Sequence, residues 1–118
     1  NYICERKIKI NKKNGNLSGV DNLFSKYNNR NLINKYSIRF HLYPNINAFQ
    51  TMGKNSVLIQ IEKNKSLVFT ASSGEDISLE KSIFLGRNQI INNSCITISG
   101  ILKKNETKNI HWELKKNY

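Results

Sequence analysis

Apolar residues in this chain recur at every second position, and no run sustains a helical period. Side chains alternate between the two faces of a β-strand, so this spacing describes half-buried strands. The clearest case is Tyr36 to Leu42, where Tyr36, Ile38, Phe40 and Leu42 alternate with Ser37, Arg39 and His41. Tyr2 to Ile10 places Tyr2, Cys4, Ile8 and Ile10 on one face and Glu5, Lys7 and Lys9 on the other. Further strands are expected at Leu17 to Leu23, interrupted by Gly19, at Ile46 to Met52, and at Val57 to Glu62 with Val57, Ile59 and Ile61 inward. Leu67 to Ala71, Ile77 to Leu85, Ser94 to Ile101 and Asn109 to Lys115 complete the set. Lys81 interrupts its apolar register, which suits an edge strand.

Turn chemistry punctuates these runs. Asn14-Gly15 suits a hairpin with φ > 0 at both central positions. Pro44 ends its strand, and Asn64, Gly53-Lys54-Asn55, Ser72 to Asp76 and Gly86-Arg87-Asn88 mark further turns. Ser25 to Lys35 is Asn-rich and reads as a long loop. About nine short antiparallel strands without a linker or repeat imply one all-β domain, an antiparallel β-sandwich or barrel, over residues 1–118.

Charge narrows the partners. Nineteen Lys and Arg against 8 Asp and Glu give a formal net charge of +11. Such a surface attracts polyanions: acidic polysaccharide, nucleic acid or an anionic membrane surface. The competing explanation is compositional, because Lys and Asn are abundant throughout and the lysines are scattered. Cys4 and Cys95 lie in strand runs and are expected as two buried free thiols, with one long-range disulfide as the alternative. No CxxC pair exists for a zinc site of that type, and no apolar run has the length of a transmembrane helix. No cofactor motif is present: there is no Gly-rich phosphate loop, and Ser18-Gly19 and Ser99-Gly100 lack the context of a nucleophile elbow.

Arg39-Phe40-His41-Leu42-Tyr43-Pro44 resembles the Arg-Phe-His-Leu-His-Pro signature of heparinase II/III-like proteins, with Tyr43 in place of the second His. Arg6 to Ile10, followed by Gly15, Leu17, Gly19 and Asp21, resembles the hairpin that precedes that signature. Leu79 and Ser82 to Gly86 resemble a later Leu-Glu-Glu-Ser-Val-Tyr segment, and Trp112-Glu113-Leu114 the closing Trp-x-Leu strand. The resemblance covers nearly the whole chain in order. It implies the C-terminal β-sandwich segment of a polysaccharide lyase whose upstream partner is an α/α-toroid domain of the same parent chain. The substrate would be an acidic polysaccharide, glycosaminoglycan-like or alginate-like, cleaved by β-elimination. A start at Asn1 rather than Met agrees with a piece of something longer, and the resemblance favours a periplasmic or secreted parent. The family's catalytic Tyr and His and its zinc ligands lie upstream of the matched region, so no catalytic or metal residue is carried over.

Substrate-binding candidates are Arg39, His41, Arg87 and Tyr43. An arginine fork grips a carboxylate or sulfate through paired N–H donors. His41 alternates onto the polar face beside Arg39, although a lone His is more often structural. Tyr43 and Tyr27 fall in loops where a ring can meet a sugar. Arg6 carries the same chemistry as Arg39, with ion pairing to Glu5, Glu62 or Glu80 as the favoured alternative. Trp112 shares its period with Ile110 and Leu114 and is expected in the core, with His111 on the exposed parity. Nucleic acid is the least favoured polyanion, because most strand aromatics share the apolar parity instead of forming an exposed stacking face.

Overall fold

A computed structural model describes residues 2–25, 33–51, 53, 55–72, 76–86, 89–103 and 106–118, and the side chains of these except 2, 25, 33–34, 82–86 and 89–92. The described residues form nine strands: β1 (Tyr2–Ile10), β2 (Leu17–Ser25), β3 (Ile33–His41), β4 (Asn47–Gln50), β5 (Ser56–Glu62), β6 (Lys65–Ala71), β7 (Asp76–Gly86), β8 (Gln89–Lys103) and β9 (Thr107–Lys116). They pair antiparallel in two sheets, ordered β1-β2-β9-β6-β5-β4 and β3-β8-β7. The expected all-β sandwich is therefore the observed class. The expected loop Ser25 to Lys35 is corrected at both ends, since Ser25 closes β2 and Ile33 to Lys35 open β3; its residues 26–32, 87–88 of the expected Gly86-Arg87-Asn88 turn and 73–75 of the expected Ser72 to Asp76 loop lie outside the described residues.

Alternation decides what fills the space between the layers. Tyr36 and Ile38 of β3, Ile96 and Ile98 of β8 and Ile77 of β7 are buried against Leu23, Val57, Ile59, Phe69, Ile110 and Trp112 of the larger sheet. Phe40 crosses from the small sheet to touch Phe69 and Trp112, each with ring centroids 5.0 Å away. Such tilted and edge-on pairs add roughly 0.5–1.5 kcal/mol each beyond burial.

Three strands cannot cover six, and this overturns the expected burial of β1. Ile8 and Ile10 share the core-facing parity but are 59% and 61% exposed. Cys4 is also exposed; Cys95 is buried, and both thiols are free. Ile61 is 40% exposed rather than inward, because a register shift between Gln60 and Glu62 breaks the alternation. Gly19 does not interrupt β2, which runs unbroken opposite Trp112. A Cβ there would overlap the Trp112 ring at Cζ2 and Cε2, so the glycine is the seat of the indole.

The first hairpin forms with different turn geometry from that expected. Only Gly15 takes positive φ, at 74°. The Ile10–Leu17 pair encloses a longer loop closed by Gly15 N–H to Asn11 O (2.8 Å), and the Asn14 side chain accepts from Asn16 N–H (2.9 Å). Asn14 therefore serves through its side chain, not through a left-handed backbone.

Candidate functional site

β3 is an edge of the three-stranded sheet, and its outward residues form a line. Exposure alternates without a break from Lys35 to Tyr43, which puts Arg39, His41 and Tyr43 on one side with Ile38, Phe40 and Leu42 on the other. Two strand residues rise about 7 Å, which sets the spacing of the Arg39 and His41 positions along the edge. Beyond β3, Leu42 N–H donates to Ser94 O (3.0 Å), and Asn93 Nδ2 donates to Leu42 O (3.3 Å). Tyr43-Pro44-Asn45-Ile46 then turns, with Ile46 N–H directed at Tyr43 O (3.4 Å) and Asn45 at φ 68°. Pro at the second position and Asn with positive φ at the third are the demands of a type II turn. The turn leaves Tyr43 78% exposed.

In register beside this line, Thr97 pairs with Arg39 and Ser78, and Cys95 with His41 and Glu80. Both central residues are buried although they share the outward parity. The strip therefore has a closed floor of small groups, with its charge held on the edge strand. Arg87 and Tyr27 lie outside the described residues, so the line joins three of the four sequence candidates.

Arg6 belongs to a different arrangement. Its Nε donates to Asp21 Oδ1 (2.9 Å) and its second nitrogen, Nη2, to Asp21 Oδ2 (2.9 Å), a bidentate grip on a fully buried carboxylate. Trp112 Nε1 donates to Asp21 Oδ1 as well (3.2 Å), and the Arg6 guanidinium lies 4.5 Å from the Phe40 ring centre. Arg6 therefore closes the core at the margin where the small sheet stops. Ion pairing is the expected fate of Arg6, but the partner is Asp21; Glu5 and Glu62 sit beside Lys7 and Lys65 instead (both 3.7 Å). Hydrogen bonding to Asp21 holds the Arg6 pKa up, while burial and the Asp21 charge push the Cys4 thiol up. The sequence signal for this cluster was an arginine in register with Cys4 and Ile8, on the apolar parity of its strand.

Trp112 is buried and His111 exposed, as their parities require. Exposed aromatics among the described residues fall on separate elements: Tyr43 after β3, Phe49 on β4 and Tyr118 at the end of the chain. They do not form the shared platform on which single-stranded bases stack. Among the described residues no group of three or more His, Cys, Asp or Glu is placed to hold a metal ion, and no helix is long and apolar enough to cross a membrane.

The fold defines a basic antiparallel β-sandwich domain with Arg39, His41 and Tyr43 aligned along one sheet edge. The family described as Heparinase II/III-like, C-terminal matches residues 1–113, and the chain belongs to that family. No curated protein and no solved structure matches it.

Proposed function

We propose that this domain is the C-terminal, non-catalytic part of a polysaccharide lyase that cleaves a uronate-containing polysaccharide by β-elimination. The family match over residues 1–113 carries this reading. In such a reaction the uronate carboxylate is neutralised, a base removes the C5 proton, and the glycosidic oxygen leaves C4 as the C4–C5 double bond forms. The domain would pack on an upstream α/α-toroid domain of its parent chain and lend binding groups to the substrate. Arg39 would hold a carboxylate or sulfate, His41 a neighbouring oxygen, and Tyr43 a sugar ring, with Arg87 as a further cation. The unbroken alternation that lines up Arg39, His41 and Tyr43 supports that assignment.

An assay for unsaturated uronate tests the division of labour. The 118-residue chain alone is expected to release none from heparin, heparan sulfate or alginate, and clear product would overturn the non-catalytic role. In the parent chain, Arg39→Ala is expected to raise KM about tenfold with little change in kcat, since it removes binding felt equally by ground and transition states. A second reading, an independent binding module for acidic polysaccharide, is favoured by the +11 net charge. It predicts binding by the 118-residue chain with no dependence on a helical partner.

A further inference from the structure

The outer face of the six-stranded sheet carries a groove remote in sequence from the Arg39 strip. Its floor is the backbone row Ile8, Gly19, Trp112 and Ala71, which are successive cross-strand partners on β1, β2, β9 and β6. The side chains of the neighbouring rows stand on either side. Lys7, Val20 and His111 form one wall, continued by Ser72, whose backbone N–H donates to His111 O (2.7 Å) and whose hydroxyl accepts from His111 N–H (3.3 Å). Lys9, Ser18, Glu113 and Thr70 form the other. Two depressions of about 330 and 220 Å³ lie along this line and share His111, Trp112 and Glu113. The groove therefore crosses four strands, about 14 Å from first to last.

Its groups are graded. Lys7 and Lys9 stand at the β1 end, and Lys12 and Lys13 follow in the adjoining hairpin. Lys116 reaches the same loop, its backbone N–H donating to Asn16 Oδ1 (3.0 Å). Hydroxyls of Ser18, Thr70 and Ser72 and the Glu113 carboxylate, paired with Lys115 at 3.0 Å, line the rest. A polyhydroxylated chain with a regularly placed anion fits this sequence of groups. Ammonium groups take the anion, the carboxylate accepts hydrogen bonds from sugar hydroxyls, and the Ser and Thr hydroxyls both accept and donate. A nucleic acid fits less well, since no exposed aromatic flanks the groove among its lining residues.

We propose that this groove is a second binding site, for a short acidic oligosaccharide segment, on the sheet opposite the Arg39 strip. It rests on the acidic-polysaccharide reading for its ligand class but not on any role for Arg39, His41 or Tyr43. The site would hold a distant stretch of the same polymer or a second chain, raising avidity without touching the reacting bond.

The test is a backbone-amide NMR titration of the 118-residue chain with a heparin tetrasaccharide, with a neutral cello-oligosaccharide of equal length as control. The expected result is shifts at Ile8, Gly19, Trp112 and Ala71 with heparin only, and a tenfold or greater loss of affinity in Lys7→Glu/Lys9→Glu. Both lysines are exposed strand residues, so the variant keeps its core. Shifts confined to residues 39–43, or no shifts at all, overturn the proposal. So does an equal loss in Lys63→Glu/Lys81→Glu, two exposed lysines outside the groove, which would show net charge acting without a groove, or equal affinity for single-stranded DNA. The Arg39 reading fails separately, if Arg39→Ala leaves heparin affinity and shifts at residues 39–43 unchanged.

Discussion

Asp21 shows how one buried charge organises its surroundings. A carboxylate removed from water is tolerated only with paired donors, and here Arg6 supplies two and Trp112 a third. Arg6→Ala would leave that carboxylate with the indole and the Cys4 thiol, a weak donor at 3.9 Å. The expected cost is roughly 3 kcal/mol, the low end for a broken buried pair because Arg6 itself reaches water. Urea denaturation would measure it, and a shift under 1 kcal/mol would mean that Asp21 finds other partners. Gly19→Ala pushes a methyl group into the Trp112 ring and is expected to cost about 1–3 kcal/mol by overpacking. Thermal melting measures it, and because Ala otherwise suits a strand better than Gly, a lowered Tm reports the clash. Cys4 offers a pH readout. Its folded pKa is raised, so its contribution to stability is intact below the unfolded thiol value of about 8.5 and is lost as pH rises toward the folded one. Iodoacetamide at pH 8 should therefore label Cys4 more slowly than a free model thiol, and faster in Asp21→Asn; the opposite order would contradict the electrostatic cause.

At the level of elements, β9 is the piece on which the large sheet depends. It lies between β2 and β6, so it alone joins the β1–β2 hairpin to the β4–β5–β6 meander. Its partners are distant in sequence, and loop-closure entropy must be offset before those pairings stabilise anything. Removal of residues 107–118 is expected to abolish cooperative unfolding, whereas Ile98→Ala, in the middle of β8, should cost about 2–5 kcal/mol with cooperativity intact. Circular-dichroism melts distinguish the two, and a cooperative transition in the truncated chain would show that the hairpin and meander meet without β9. By contrast, Ile8→Thr and Ile10→Thr should each stay within about 0.5 kcal/mol of the parent, because neither side chain is covered.

For the whole molecule, charge and coverage are the governing properties. A net +11 makes any acidic-glycan affinity fall steeply with salt, and both proposed surfaces carry that expectation. The two surfaces occupy opposite outer faces of the sandwich, so one long polymer would have to pass around an edge to reach both.

Period-two alternation by itself determined the central runs of the strands, though not the starts of β3 at Ile33 and β8 at Gln89, and with them the buried place of Trp112, the exposed places of Arg39, His41 and His111, and the all-β class, because side-chain direction in a strand is set by parity alone. Parity names a face; it does not say whether another layer covers it. Ile8, Ile10 and Cys4 were therefore misjudged, and only the three-against-six sheet arrangement decided their exposure. The partner of Arg6 was likewise hidden, because Asp21 is brought opposite it by hairpin register. The groove was invisible for the same reason: its floor comes from four strands separated by up to about a hundred residues, and only their lateral order sets Ile8, Gly19, Trp112 and Ala71 in one row.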